Sequence, residues 1–173
     1  VGQEHAAALR TDGTLWAWGG NDYGQIGDGT NIAKSTPVQI GNENWAAVST
    51  GSVHTVGLKN DGTLWAWGWN FFGQLGDGTA ISRNAPVQIG TATNWSAVSA
   101  GDGHTIALKS DGTLWAWGYN AYGQLGNGVQ YQRSLLVDVD GLAGNMAVIS
   151  AGGLHTCGVT ASDAMIASPR LPL

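Results

Sequence analysis

The chain has 173 residues, a length that suits one domain with a buried core. Charged residues make up only 11% of the chain and hydrophobic residues 43%, and this apolar, aromatic composition excludes a disordered segment. Seven Lys and Arg residues are scattered through a chain of net charge −5, so we expect no nucleic-acid partner. No apolar run reaches the length of about 20 residues that crosses a bilayer, so we expect no membrane insertion.

One sequence pattern recurs along the chain with a period of about fifty residues. Four Gly-x-x-His segments end at histidines that are 49, 50 and 51 residues apart: His5, His54, His104 and His155. The segment Asp-Gly-Thr-Leu-Trp-Ala-Trp-Gly begins at Asp12, Asp61 and Asp111. We therefore predict repeats over residues 2–50, 51–100 and 101–151, a partial repeat over 152–160 and a divergent tail over 161–173.

Each repeat predicts four short strands, as the second copy illustrates. Residues 45–49, 54–59 and 63–67 form apolar runs, and the Asp-Gly turn at 60–62 predicts a hairpin between the last two. A glycine-rich loop over 68–78 leads to a short outer strand at 86–89, whose leading Pro86 fits a sheet edge.

The strands are apolar on both faces, which predicts sheets that are each sandwiched between two others. This favours an all-β fold, a β-propeller whose four-stranded blades stack around an axis. The first repeat lacks an inner strand, and the last predicts strands at 146–150 and 155–160 and none beyond. We expect about three and a half blades, with the ring completed by a second copy or by another segment.

The pattern Gly-x-x-His-Thr-x-x-Leu-x-x-Asp-Gly-x-Leu-x-x-Trp-Gly-x-Asn-x-x-Gly-Gln-Leu-Gly resembles the regulator-of-chromosome-condensation (RCC1) repeat. It is complete at residues 51–76 and 101–126, and the first copy departs from it at Ala6 and Ile26. The resemblance implies a propeller, usually of seven blades, in a family whose roles range from nucleotide exchange on a small GTPase to light reception and β-lactamase inhibition. It implies a fold and a habit of binding rather than one particular function. Because the sequence contains no nucleophile motif and no carboxylate pair that can be placed, we predict a non-catalytic scaffold without a cofactor, whose partner is a protein.

Residues that differ between the copies are free to serve a local function, whereas those that recur are explained by the blade. Trp69 and Tyr119 stand where the first copy has Gly20, and Phe71 stands where the others have Asp22 and Ala121. We predict a binding site for a protein on the loop side of the propeller, formed by Asp22, Trp69, Phe71 and Tyr119. The recurring aromatic residues Tyr23, Phe72 and Tyr122 are assigned to the scaffold.

Two other functions stay open. Trp69 and Tyr119 would also suit a lectin-like module that stacks sugars on aromatic rings. The four histidines would suit a metal or hydrolase site in the central channel, but no carboxylate accompanies them in each copy, and a capping or turn hydrogen bond is the favoured explanation. The low lysine content favours a bacterial, secreted or surface protein, but the compartment stays undetermined.

Overall fold

All strands of the described chain pair antiparallel with their neighbours. A computed structural model describes residues 1–139 and 146–160, and the backbone alone of residues 165–168. Blade 1 contains β1 (His5–Leu9), β2 (Leu15–Gly19) and β3 (Lys34–Gln39), and blade 2 contains β4 (Trp45–Thr50), β5 (His54–Lys59), β6 (Leu64–Gly68) and β7 (Arg83–Gln88). Blade 3 contains β8 (Trp95–Ala100), β9 (His104–Lys109), β10 (Leu114–Gly118) and β11 (Arg133–Asp138), and blade 4 contains β12 (Met146–Ala151), β13 (Thr156–Thr160) and β14 (Met165–Ser168).

Each blade is a meander in which consecutive strands are hydrogen-bonded neighbours. Blades 2 and 3 have four strands each, in the orders β4-β5-β6-β7 and β8-β9-β10-β11. Blade 1 has three strands and lacks the innermost one, as predicted. The described residues contain no helix that is long and apolar enough to cross a membrane.

The hairpin turn of each of the first three blades is fixed by its Asp-Gly-Thr sequence. In blade 2, Asp61 Oδ1 accepts hydrogen bonds from the backbone N–H of Thr63 at 3.0 Å and from its hydroxyl at 2.6 Å. The Thr63 hydroxyl oxygen in turn accepts the indole N–H of Trp65 at 2.8 Å. Gly62 takes the positive φ that the turn requires. These bonds make the recurring Asp a turn residue.

The outer strand of blade 2 begins earlier than predicted, at Arg83 instead of Pro86. Its pairing with β6 shifts register between Ala66 and Gly68, which are opposite Val87 and Arg83. Pro86 therefore lies inside the strand, at an irregularity on a sheet edge, where its missing N–H breaks no ladder hydrogen bond.

The final blade extends beyond the predicted end of the strand pattern. The prediction placed no strand after residue 160, but β14 (Met165–Ser168) pairs with β13 over the whole of its length. The segment lacks the Asp-Gly turn and the Trp pair by which such a strand is recognised in the other copies, so the sequence carries no signal for it.

Apolar residues are buried between blades rather than within one blade. One cluster joins Leu15, Ile26 and Ile40 of blade 1 to Trp45 and Trp67 of blade 2. Corresponding clusters join blade 2 to Trp95 and Trp117 of blade 3, and blade 3 to Met146 of blade 4. The predicted stacking of sheets with two apolar faces is confirmed.

Candidate functional site

The long loops that follow β2, β6 and β10 lie at the same end of the blades as the Gly-x-x-His turns, and we call this end the loop face. In blade 2 the loop is braced by the buried amide of Asn70. Its Nδ2 donates to the carbonyls of Thr79 and Ile81 at 3.1 and 3.2 Å, and its Oδ1 accepts the N–H of Leu75 at 3.0 Å. The corresponding amides of Asn21 and Asn120 make the same kinds of bonds. The loops are thereby held as fixed supports for the side chains at their tips.

An ion pair closes the loop of blade 2 at its outer edge. Arg83 donates from Nε and Nη2 to Asp77 Oδ2 at 3.0 and 2.8 Å. Burial raises the pKa of Asp77, but hydrogen bonds from Thr79, Arg83 and Asn70 outweigh it and hold the pKa below its ordinary value. Asp77 is therefore a charged loop brace at neutral pH.

Six aromatic side chains form one continuous row across the loops of three blades. Trp69 is the hub of its first half, with ring centroids 5.8 Å from Tyr23, 6.1 Å from Phe71 and 5.1 Å from Phe72. Phe72 then contacts Tyr119 at 4.6 Å, and Tyr119 contacts Tyr122 at 6.2 Å. We call Tyr23, Trp69, Phe71, Phe72, Tyr119 and Tyr122 the aromatic row.

The structure brings three of the four predicted site residues into this row. Trp69 and Phe71 are stacked with 9° between their planes, and Phe71 is 63% exposed. Tyr119 contacts neither of them directly and is joined to Trp69 through Phe72. Asp22 is exposed beside Tyr23, and its carbonyl accepts the side-chain N–H of Asn31 at 2.8 Å.

Sequence reasoning missed half of the row. Tyr23, Phe72 and Tyr122 recur in every copy and were therefore assigned to the scaffold. In the structure Phe72 links Trp69 to Tyr119, while Tyr23 and Tyr122 are 42% and 54% exposed. Recurrence alone does not reveal exposure, but a large aromatic residue that recurs in a loop, away from any apolar strand, is a signal that could have identified them.

The histidines connect consecutive blades. His54 Nε2 lies 3.0 Å from the hydroxyl of Thr105 in the next blade, and that hydroxyl donates to the Gln74 carbonyl of blade 2 at 2.8 Å. Because the single hydroxyl hydrogen goes to the carbonyl, the histidine must donate from Nε2. His5 with Thr55 and His104 with Thr156 repeat the arrangement. Each forms what we call a staple, a His-Thr-Gln bridge between blades.

The stapled histidines are buried and neutral. Burial lowers the pKa of His5 and His104 to about 4 and that of His54 to about 3, although Asp102 opposes the shift at His104. Within the described part of the chain, no three His, Cys, Asp or Glu side chains are grouped so as to hold a metal ion. The bond that had been expected within a turn instead crosses to the neighbouring blade.

Comparison with known families and structures agrees with this geometry. The family model described as the regulator of chromosome condensation (RCC1) repeat matches residues 12–58, 61–108 and 111–159, which confirms the resemblance. The ultraviolet-B receptor UVR8 of Arabidopsis thaliana is 46% identical over 39 residues, which cover 22% of this chain and 9% of the receptor.

Two solved structures superpose over almost the whole chain. Human WBSCR16 is 21% identical with a TM-score of 0.84, and the superposition covers 98% of this chain and 48% of the WBSCR16 chain. Prp20p of Saccharomyces cerevisiae is 24% identical with a TM-score of 0.80, and the superposition covers 94% of this chain and 43% of the Prp20p chain. These likenesses confirm the propeller fold, and the chain spans less than half the length of these relatives.

Proposed function

The chain belongs to the RCC1 repeat family, and from that premise we propose that it is a non-catalytic binding scaffold whose loop face holds a protein segment on the aromatic row. The family's propellers mostly bind other proteins or act as exchange factors on them. The yeast relative, for example, has been studied for binding Gsp1p and histones. The function of this chain has to be argued from its own loop face.

The continuity and exposure of the aromatic row carry the proposal. Its rings are in contact from Tyr23 to Tyr122, so they form one surface, and Phe71, Tyr122 and Tyr23 present between 42% and 63% of their area to solvent. Aromatic residues dominate the binding energy of protein interfaces because they bury much area at little entropic cost. The braced loops already hold these rings in place, so little conformational entropy is lost on binding.

A peptide library displayed on phage tests this function directly. Selection on the wild-type chain should enrich peptides that are lost when Phe71→Ala and Tyr122→Ala are combined, since these exposed rings should account for most of the binding. Tyr131→Ala is the matched control, because Tyr131 is 74% exposed but lies outside the row. If the enriched peptides bind the double variant as well as the wild type, the aromatic row is not the binding surface.

The lectin alternative receives less support from the ring geometry. A sugar stacks on an open aromatic face, whereas Trp69 is in contact with Tyr23, Phe71 and Phe72. Tyr119 is likewise contacted by Phe72 and Tyr122. Glycan-array binding that disappears in Trp69→Ala would nevertheless favour the lectin over the protein scaffold.

The central-channel alternative, a hydrolase or metal site, requires histidines that are free to react. His5, His54 and His104 each use Nε2 in a staple and are buried. This arrangement supports a structural role for the histidines. Hydrolysis in a broad substrate screen that is abolished by His54→Ala would contradict it.

We also propose that the open sides of the end blades can meet in a second copy. Trp18 is only half-buried, while its counterparts Trp67 and Trp117 are fully buried against a neighbouring blade. In such an assembly His155 would face Ala6, where the other joints have a threonine, so this joint would lack a staple. Light scattering should show a dimer that Ala6→Thr strengthens; a monomer in both cases would refute self-association.

A further inference from the structure

We propose that the segment bound by the aromatic row is basic, with Arg or Lys side chains that lie over its rings. This inference rests on the proposed function and specifies the chemistry of the partner. It is carried by the distribution of charge around the row, which the sequence alone does not reveal.

Carboxylates border the aromatic row. Glu4 is exposed and lies against Gly20, the position that Trp69 and Tyr119 occupy in the other blades; a Cβ on Gly20 would be 3.2 Å from the Glu4 Cβ. Asp22 is exposed and directly precedes Tyr23 of the row. The first blade thus presents two negative charges, one beside the position of Trp69 and Tyr119 and one at the position of Phe71 in blade 2 and Ala121 in blade 3.

A third carboxylate belongs to the residue that adjoins the middle of the row. Asp102 precedes Gly103, and a Cβ on Gly103 would lie 3.3 Å from both the Phe72 ring and the Tyr119 Cβ. The Asp102 Oδ1 accepts a hydrogen bond of 3.4 Å from Gln3 of the first blade. The row is therefore accompanied by negative charge at its first-blade end and beside its centre.

The Lys and Arg side chains of the described residues lie at the opposite end of the blades or at the outer edge of the loop face. Three of them lie at the opposite end of the blades, each over a tryptophan ring: Arg10, Lys59 and Lys109. Two others start outer strands and are paired at 2.8 Å with aspartates: Lys34 with Asp28, and Arg83 with Asp77. The remaining one, Arg133, starts the outer strand of blade 3, for which no ion pair is seen within the described chain. The inner part of the loop face is therefore acidic.

Acidic groups beside exposed aromatic rings select a cation. A guanidinium or ammonium group is attracted to the negative face of an aromatic ring, and guanidinium also stacks on the ring. The chain itself shows the geometry, since Lys59 Nζ lies 3.6 Å from the Trp65 ring centroid. The net charge of −5 would further steer a basic partner towards the protein and repel nucleic acid.

The row is long enough for a short extended segment. The successive centroids of Tyr23, Trp69, Phe72, Tyr119 and Tyr122 are between 4.6 and 6.2 Å apart. This contour corresponds to about six residues of extended chain. Side chains at alternate positions of such a segment would point to the same side, towards the rings.

Three defined peptides test the inference by fluorescence anisotropy. They are fluorescein-labelled 12-residue repeats of Gly-Arg, Gly-Lys and Gly-Glu, titrated against the whole chain at low and at moderate salt. We expect the Gly-Arg peptide to bind most tightly and the Gly-Glu peptide not to bind. Affinity should fall about tenfold in Glu4→Gln/Asp22→Asn, and by at least as much in Phe71→Ala/Tyr122→Ala.

A charge-matched variant separates the loop face from general attraction to an acidic protein. Glu43→Gln/Asp138→Asn removes the same number of exposed carboxylates at sites away from the row, and should change the affinity less than twofold. If both double variants weaken binding equally, or if loss of Phe71 and Tyr122 has no effect, the inference is wrong.

The phage selection distinguishes failure of the inference from failure of the function. If selected peptides depend on Phe71 and Tyr122 but are not enriched in Arg or Lys, the loop face binds proteins and its preference for basic segments is refuted. If neither the selected nor the defined peptides depend on these residues, both proposals fail.

Discussion

Acidification should unfold this protein well above the pH at which its carboxylates are protonated. The reason lies in the staples, in which His5, His54 and His104 are neutral and donate from Nε2 to a threonine hydroxyl of the next blade. The only nitrogen left to take a proton is Nδ1, which is buried and without a hydrogen-bond partner in all three rings. Protonation would therefore place an unpaired charge at three blade joints.

The magnitude follows from the lowered pKa values. Because the folded-state pKa of about 4 for His5 and His104, and about 3 for His54, is below the ordinary value of 6.5, the unfolded chain binds more protons between pH 6.5 and 4. Stability is thus fully present above pH 6.5 and is lost as the pH falls. Between pH 7.5 and 5.5 the three histidines together should remove about 4 kcal/mol. That is a large part of a typical stability of about 5–15 kcal/mol.

Guanidinium chloride unfolding at pH 7.5 and 5.5, followed by tryptophan fluorescence, measures this loss. A decrease of about 4 kcal/mol should lower the midpoint by about 1 M. His54→Gln can still donate to Thr105 but does not titrate, so it should lose only about two thirds as much stability over the same interval. Asp138→Asn, which changes an exposed carboxylate, should behave as the wild type. Equal pH dependence of His54→Gln and wild type would refute the assignment to the staples.

Two further predictions concern the blade joints and are measured by the same unfolding assay. Thr105→Val should cost about 2 kcal/mol because it leaves a buried imidazole N–H unpaired and removes one of the two hydrogen bonds that the Gln74 carbonyl accepts, the other coming from Trp117, whereas exposed Thr36→Val should cost little. Gly76→Ala should cost more than Gly90→Ala, although both glycines have positive φ, because a Cβ on Gly76 would lie 2.7 Å from Trp117 Nε1 and one on Gly90 would meet nothing within 4 Å. If Thr105→Val costs no more than Thr36→Val, or Gly76→Ala no more than Gly90→Ala, the contacts described at the blade joints do not stabilise the fold.

Much of the fold could be predicted because each copy of the repeat carries its own local signals. The Asp-Gly-Thr turn has a hydrogen-bond pattern of its own, so the hairpin of β5 and β6 can be predicted from the turn and the apolar residues on either side of it. The outer strand β7 has no such signal, since its pairing is irregular around Pro86, and its start was placed three residues too late. Strand β14 was missed altogether because it forms by pairing with β13 rather than by a motif of its own.

The site was only partly predictable because comparison of copies identifies what varies and not what is exposed. It found Trp69, Phe71 and Tyr119, which differ between blades, but not Tyr23 and Tyr122, which recur and are nevertheless exposed. Nor could it show that Phe72 joins the two halves of the row, since that contact depends on the angle between neighbouring blades. The acidic border has the same origin, because Glu4 approaches the row only through the turn that precedes β1.

The division between joints and loop tips explains why this fold can place a specific site on a repetitive framework. The recurring polar side chains make hydrogen bonds within the fold: Asn70 braces its loop, and His54 and Thr105 bridge two blades. None of these bonds involves the side chains at positions 69 and 71, so substitutions there leave the joints intact. Loss of Phe71 should therefore weaken binding without changing the unfolding midpoint, whereas loss of the Thr105 hydroxyl should change the midpoint and leave binding to the folded protein unaltered. That separation is what a binding scaffold requires, and a Phe71→Ala variant that unfolds as early as Thr105→Val would contradict it.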